Sequence, residues 1–424
     1  MKALRKRDAR NVQALRLAHI ADGKGVGADR LTPHGGRKLH PRGNPLGLPH
    51  QNFKLWTDPT EARGTPRKLF NNPDSDNPCN VPVFLKSFPS VSSIFPSIMP
   101  PAASYTFLSE SEWTERIAAA EALSSPCMLC PRKCRADRKT GEKGICRAGD
   151  ELYISSIFPH HGEEPPISGT RGSGTVFFSF CSLRCCFCQN FQISQQEEGG
   201  PYTPECLAEK MIDVQGMGVH NINLVTPTHF LPWILQSLRL AARSGLNIPI
   251  VWNSSGYELV EALEPLKGIV DIFLPDMKYG SNESSMRYCG APNYVQVNQA
   301  AIREMFRQVG PLKTDSDGIA YRGMCVRHLV LPEGRAYSEN VLEFLGTTFD
   351  PADISISLMA QYRPMFKAEK FPELRRGVSR LEYETVQNCC ERGGFNGFYQ
   401  EILRLDESFC IDFTKRKDEP LTGK

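Results

Sequence analysis

From residue 170 onward, short apolar runs alternate with stretches in which apolar residues recur every three or four positions, and the alternation repeats about six times. The apolar runs 175–180, 222–226, 248–253, 270–275, 325–331 and 354–359 read as strands. Between them, 204–217, 230–244, 259–266, 302–309 and 339–345 carry helical periodicity, and 382–392 continues it after the last strand. Single strands separated by helices, with no hairpin signals between them, lie parallel and are joined by right-handed crossovers. An open doubly wound sheet and a barrel both satisfy this pattern. Six units fall short of the eight of a complete TIM barrel, so the expected α/β fold is a partial (β/α)6 TIM-like barrel of parallel strands. In either closure the chemistry belongs at the C-terminal ends of the strands.

The first part of the chain reads differently. Residues 1–100 hold 12 of the 32 prolines, and residues 1–70 carry 15 Lys and Arg against 5 Asp and Glu. Such a segment rarely packs, so residues 1–105 are expected to be a disordered, basic, Pro-rich leader. A transit peptide and a plain tail both suit it, which leaves a cytoplasmic location or a mitochondrial one. Trp113, Ile117, Ala120 and Leu123 share one helical face, and this helix opens a Cys-rich segment over 106–170. The barrel is then expected over 171–400 and a tail over 401–424. No apolar run reaches the 18–20 or so residues of a membrane span, and Val91–Met99 is far too short. No membrane partner is expected.

Of the fifteen cysteines, eight fall between 127 and 188 in two dense groups, which argues for metal or redox chemistry rather than a disulfide framework. The run Gly174–Phe180 leads directly into Cys181, Cys185 and Cys188, spaced C-x3-C-x2-C with Phe187 before the last. Three soft thiolates on a tight loop suit an iron–sulfur cluster or zinc. A cubane cluster held by three cysteines keeps one iron without a protein ligand, open to a chelating small molecule.

The aromatic C-x3-C-x-Phe-C signature after a first strand resembles the radical S-adenosylmethionine (SAM) superfamily, and residues 120–400 are similar to its pyruvate formate-lyase activating enzyme-like branch. Asp276-Met277-Lys278 matches the D-x-K of glycyl-radical activases, and Val326-Arg327-His328-Leu329-Val330-Leu331-Pro332 resembles their fifth-strand V-R-x-x-V-x-P. Asn253-Ser254-Ser255-Gly256 stands where a T-N-G-like turn ends the third strand. The resemblance implies that Cys181, Cys185 and Cys188 hold a [4Fe–4S] cluster and that Phe187, Asn253, Ser255, Asp276, Lys278 and Arg327 border SAM, with Arg327 reaching its carboxylate. It implies reductive cleavage of SAM to methionine and a 5′-deoxyadenosyl radical that abstracts hydrogen; the cofactor carries the hard step, so no side chain is assigned a catalytic role. Implied partners are an electron donor such as flavodoxin or ferredoxin and a protein substrate, a glycyl-radical enzyme or another protein; a small-molecule substrate is the alternative.

Two stretches depart from that branch. The second strand ends in Val225-Thr226-Pro227-Thr228-His229 instead of a Gly-Gly-Glu-like segment, which leaves Thr226, Thr228 or backbone carbonyls to receive the SAM amino group. The sixth ends in Met359-Ala360-Gln361-Tyr362, with Gln361 and Tyr362 as candidate pocket residues. Upstream, Cys127, Cys130, Cys134 and Cys146 can close around a second metal, zinc or an auxiliary iron–sulfur cluster, with Arg132, Lys133, Arg135 and Arg138 at hand to offset thiolate charge. The 162–174 segment, rich in glycine, reads as structural, and Cys186 and Cys289 as ordinary thiols. A non-enzymatic zinc-binding adaptor is the rival class. No aromatic platform accompanies the basic residues, so no nucleic-acid partner is expected.

Overall fold

The computed structural model describes residues 53–56, 101–402 and 411–415. Its strands are β1 (Phe53–Trp56), β2 (Leu152–His160), β3 (Ser173–Phe178), β4 (Gly200–Tyr202), β5 (Ile222–Val225), β6 (Ile250–Ser254), β7 (Ile272–Pro275), β8 (Lys313–Thr314), β9 (Ala320–Leu329), β10 (Ser355–Met359) and β11 (Asn396–Gln400). They pair in the order β1-β11-β10-β9-β7-β6-β5-β3-β2-β4, with β8 beside β9. The six strands expected from the apolar runs are β3, β5, β6, β7, β9 and β10, and each is parallel to the next. This is the partial TIM-like barrel that the alternation predicts.

Three features were not legible in the pattern. β11 adds a further parallel strand beside β10; its sequence Asn-Gly-Phe-Tyr-Gln is short and too polar to stand out. Phe53–Trp56, within the expected leader, pairs antiparallel with β11, and at the leader's expected end Ala103 and Tyr105 are buried, so packing begins before residue 105; the other leader residues up to 100 lie outside the described residues. β8 and β9 form a hairpin, contrary to the expected absence of hairpins. Its turn is built by Asp315, whose side chain accepts the N–H groups of Asp317 and Ile319 at 2.9 Å each, and by Gly318 at φ +77°. The Asp317-Gly318 pair was the overlooked signal.

Alternation along the strands separates two faces. Ile250, Trp252, Phe273, Met324 and Val326 pack outward against the helices, while Val251, Ile272, Leu274 and Cys325 point inward. The short helix Pro165–Ser168 places Ile167 among these inward residues. Continuing the inward register by two residues gives Asn253 after Val251, Asp276 after Leu274 and Arg327 after Cys325. The same pleat that buries the barrel interior therefore aims these polar side chains at one place.

The upstream helix Glu110–Ala122 starts at a capping box formed by Ser109 and Glu112 and buries Trp113, Ile117 and Ala120, the face expected from the sequence. Glu110 pairs with Arg239 and Arg243 of the helix Leu231–Arg243, fixing the Cys-rich segment beside the barrel. Among the described residues, no helix is long and apolar enough to cross a membrane.

Candidate active site

β3 ends in a sharp turn. Phe180 and Arg184 take positive φ, 70° and 57°, and fold residues 181–188 back over the strand ends. The loop is held by its backbone: Cys186 N–H donates to the Tyr288 carbonyl at 2.8 Å, Lys367 N–H to the Cys186 carbonyl at 2.8 Å, and Gln195 Nε2 to the Cys185 carbonyl at 2.8 Å. Cys181, Cys185 and Cys188 open on a cavity of about 440 Å³, whereas Cys186 does not line it. Burial raises the Cys181 thiol and pushes Cys188 up to about 12, and each feels the charge of Cys185. Cys185 rises well above the ordinary thiol value, first through a hydrogen bond with the thiol of Cys289 and then through burial. Cys289, which the sequence offered no reason to single out, is held in turn by Tyr279, its hydroxyl 3.0 Å from Sγ.

The same cavity is lined by Phe187, Asn253, Ser255, Asp276, Lys278 and Arg327. Asp276 and Lys278 pair at 2.6 Å and are only 16% and 18% exposed, so this is a wall of the cavity rather than a surface ion pair. Burial works against the Lys278 charge, but Asp276 outweighs it and the ammonium is held above its usual range. The helix Tyr294–Val309 ties these strand ends together. The Tyr294 hydroxyl accepts the Lys278 N–H at 2.9 Å and lies 3.0 Å from the Ser255 carbonyl, and Asn298 Nδ2 donates to the carbonyls of Gly256 at 3.1 Å and Asp276 at 2.9 Å. Gly256, at φ +64°, lies so close to the Asp276 carbonyl and the Asn298 amide that a Cβ there would collide with both. Tyr294 and Asn298 escaped the sequence reading; their signal is an i, i+4 polar pair on an amphipathic helix.

Arg327 stands in the cavity wall with its donors engaged. Its Nε donates to Glu164 Oε1 at 2.7 Å, Nη2 to Glu164 Oε2 at 2.8 Å and to Glu163, and Nη1 to Asn253 Oδ1 at 3.1 Å. Glu163 lines the cavity and also accepts from Asn223 Nδ2 at 2.8 Å. The segment read as a structural turn thus supplies two buried carboxylates to the barrel interior. Burial alone would raise the Glu164 carboxyl, but the Arg327 guanidinium holds it below its ordinary 4.5.

Thr226 lines the cavity at φ +59°, while Thr228 is committed elsewhere, donating at 2.7 Å to the buried carboxylate of Glu258. Gln361 and Tyr362 line the cavity, and Phe187 packs edge-on against Tyr362 with ring centres 5.5 Å apart.

The upstream thiols form their own group. Cys127, Cys130 and Cys146 are buried and Cys134 is partly so. Cys127 hydrogen-bonds with Cys134, and Cys130 feels Cys146, Cys127 and Cys134. Backbone N–H groups two residues on point at three of the sulfurs: Leu129 at Cys127, Arg132 at Cys130 and Ala148 at Cys146. A Cβ on Gly144 would sit 2.8 Å from Cys134 Sγ and 3.8 Å from Cys146 Sγ, so only glycine leaves the sulfurs room. Burial pushes Cys130 up to about 12 and Cys146 to about 11, against the Arg138 charge that draws Cys146 down. Of the four basic residues expected to offset the thiolates, Arg138 acts so on Cys127 and Cys146. Its guanidinium is buried, donating to the carbonyls of Gly149 and His229 at 2.6 Å each and lying 4.8 Å over Trp233. In neither cysteine group do three or more Cys, His, Asp or Glu side chains, among the described residues, already stand as a finished set of metal donors. What each group offers is convergent thiols, three on a shared cavity wall and four upstream that interact with one another, two of them against a glycine, which fits soft-metal chemistry.

Comparison with known proteins bears on this site. Residues 175–310, which run from β3 through the loop 181–188 to the end of the Tyr294 helix, match the model of the radical SAM superfamily. The chain is 34% identical over 275 residues to an uncharacterized protein of Methanocaldococcus jannaschii, covering 62% of this chain and 73% of that relative. Solved structures similar to it include QueE from Escherichia coli, at 14% identity, TM-score 0.34, 59% of this chain and 94% of that one. HydG, a maturase of the [FeFe]-hydrogenase, is similar at 13% identity, TM-score 0.39, 68% of this chain and 63% of that one. With three thiols following the first strand of a parallel partial barrel, and with the family model spanning that strand and that loop, the chain belongs to the radical SAM superfamily.

Proposed function

We propose that Cys181, Cys185 and Cys188 hold three irons of the [4Fe–4S] cluster that the superfamily implies, and that Phe187, Asn253, Ser255, Asp276, Lys278 and Arg327 border SAM on the open side of it. The observation that carries this reading is that all nine side chains, drawn from three strand ends and one loop, line a single cavity. When bound, the cluster supplies one electron that cleaves SAM to methionine and the 5′-deoxyadenosyl radical. The chain's own residues enclose and orient: the loop 181–188 fixes the thiols, Phe187 and Tyr362 screen the cavity from water, and Asp276 with Lys278 presents polar groups to the zwitterionic end of SAM. Arg327 is engaged by Glu163 and Glu164, so it adds charge and rigidity to the wall and meets a ligand carboxylate only in competition with them. Glu163, facing the same cavity, would receive the SAM amino group in place of the missing Gly-Gly-Glu-like segment while sharing its oxygens with Arg327 and Asn223.

Within this chemistry the reading extends to glycyl-radical activation or another protein substrate, with flavodoxin or ferredoxin as electron donor. It rests on the D-x-K and V-R-x-x-V-x-P residues, which stand at the ends of β7 and β9. Cys127, Cys130, Cys134 and Cys146 are assigned to a second metal, zinc or an auxiliary cluster, supported by the N–H groups directed at their sulfurs and the clearance over Gly144. Anaerobic reconstitution with iron and sulfide, followed by EPR with and without SAM, tests the central assignment. Alanine at Cys181, Cys185 or Cys188 should abolish both the reducible cluster and 5′-deoxyadenosine formation, and Cys186→Ala should preserve both. Reductive SAM cleavage by the triple variant would refute it. An EPR doublet on a glycine of a co-purified partner distinguishes a glycyl-radical target from other substrates.

A further inference from the structure

Two arginine side chains join the cysteine groups, and Arg132 makes the larger set of contacts. Arg132 lies midway between Cys130 and Cys134, on the upstream loop, and its guanidinium crosses to the cluster loop. Nε donates to the Ser182 carbonyl at 2.9 Å and Nη2 to the Leu183 carbonyl at 3.1 Å, both within the three-residue span between Cys181 and Cys185. The same head donates to the carbonyls of Cys289, at 2.7 Å, and Gly290, and it lies 5.4 Å from the centre of the Tyr257 ring. These last two carbonyls end the helix Asn282–Cys289, where a cation is favoured by the helix dipole and by the unsatisfied carbonyls. That helix end carries Cys289, whose thiol meets Cys185. A reciprocal contact runs the other way: Arg184, between Cys181 and Cys185, donates to the carbonyl of Ile145, next to Cys146, at 3.3 Å.

Ser182, Leu183, Cys289 and Gly290 offer their carbonyls to Arg132 from two separate elements, so a shift of the Cys130–Cys134 loop moves the guanidinium away from both. A planar guanidinium with several donors in fixed directions suits such a junction, where a lysine would reach only part of the set. We propose that Arg132 couples the two sites: metal held by Cys127, Cys130, Cys134 and Cys146 fixes the loop that carries Arg132, and Arg132 fixes the backbone between Cys181 and Cys185, so that filling the upstream site increases retention of the iron–sulfur cluster. The inference rests on the assignment of both metal sites above. Arg132 is a positioning residue: its guanidinium touches neither set of sulfurs, and only its backbone N–H points at Cys130. Linkage requires the effect to be mutual, so a filled cluster also tightens the upstream metal.

The test uses full-length protein reconstituted anaerobically with iron and sulfide after loading with zinc. Metal analysis of the Cys181/Cys185/Cys188→Ala variant first establishes whether the upstream group holds zinc at all. Loss of visible cluster absorbance under an iron chelator is then followed in wild type, in Cys127/Cys130→Ser, in Arg132→Ala and in the combination. Stripping the upstream site should speed cluster loss by about fivefold or more, the usual scale of coupled sites. Arg132→Ala should retain its zinc yet lose the cluster as fast as the stripped protein, and removing the upstream cysteines from it should have no further effect. That non-additivity is the signature that a general loss of stability would not give. Arg132→Lys, which keeps the charge and reaches fewer carbonyls, should fall between, and it serves if the alanine variant does not fold. Absence of both zinc and iron from the triple variant would overturn the second-site assignment and the coupling with it. A full complement of zinc with equal cluster-loss rates in wild type and Cys127/Cys130→Ser would overturn the coupling alone, as would an Arg132→Ala protein that still responds to the upstream site.

Discussion

Arg327 illustrates how a buried charge depends on its partners. It neutralises Glu163 and Glu164, which are 7% and 1% exposed, and truncating it leaves two carboxylates inside the barrel with no cation beside them. Breaking a buried pair from one side costs about 3–5 kcal/mol, several times an ordinary surface ion pair. Arg327→Ala should therefore lower the stability of the metal-free chain by about that amount in denaturant titrations, quite apart from any effect on SAM. Replacing Arg327 together with Glu163 and Glu164 by apolar residues of similar size should recover most of the loss. A wild-type unfolding midpoint in Arg327→Ala would show that the guanidinium contributes nothing to the barrel floor.

At the scale of elements, the site depends on two junctions. The first is the meeting of β6, β7 and the helix Tyr294–Val309 around Gly256. A side chain there needs an uncommon φ and collides with the backbone of Asp276. Gly256→Ala should push the β7 end away, lowering the melting temperature and weakening SAM binding while the three cluster cysteines keep their iron; undiminished SAM affinity would show that the β7 end does not border the ligand. The second junction is Arg138, which pins the upstream loop to the turn after β5 through the His229 carbonyl and the Trp233 ring. Arg138→Met keeps the packing volume and removes the donors. Loss of hydrogen bonds from a charged group costs on the order of 1.5–3 kcal/mol, so zinc should leave the upstream group faster in this variant. Unchanged zinc release would place the anchor of that loop elsewhere.

For the molecule as a whole, the buried Glu164 carboxylate makes the barrel sensitive to acid. The Glu164 carboxyl is held below 4.5 in the folded chain, so its contribution is complete above the unfolded value and is lost as pH falls through the folded one. The unfolded chain binds the proton first, so stability should decline progressively from about pH 5 downward. Glu164 reaches Arg327 on β9 and Arg327 reaches Asn253 on β6, so protonation of Glu164 loosens both strands together. Urea titrations at a series of pH values should give a shallower acid decline for Glu164→Gln than for wild type; equal slopes would remove Glu164 as the titrating group.

Much of this protein is written locally. Parallel strands followed by helices follow from the spacing of apolar residues, because a buried strand and an amphipathic helix each need a continuous local pattern. The cluster loop follows from three thiols seven residues apart at most, and the expected site residues follow from motifs at strand ends, where the inward register carries them to one cavity. What the sequence could not disclose are contacts between distant segments. Glu164 meets Arg327 across 163 residues and Arg132 meets Ser182 across 50. Cys289 comes to lie beside Cys185 only because the helix Asn282–Cys289 packs under the loop. β1 and β11 form by pairing at the sheet edge, with no strong periodicity of their own. Periodicity and spacing record which face of an element is buried, so they determine the elements and their order. Which charged or thiol group a side chain meets inside is set by how those elements close on one another, and only the tertiary structure decides it.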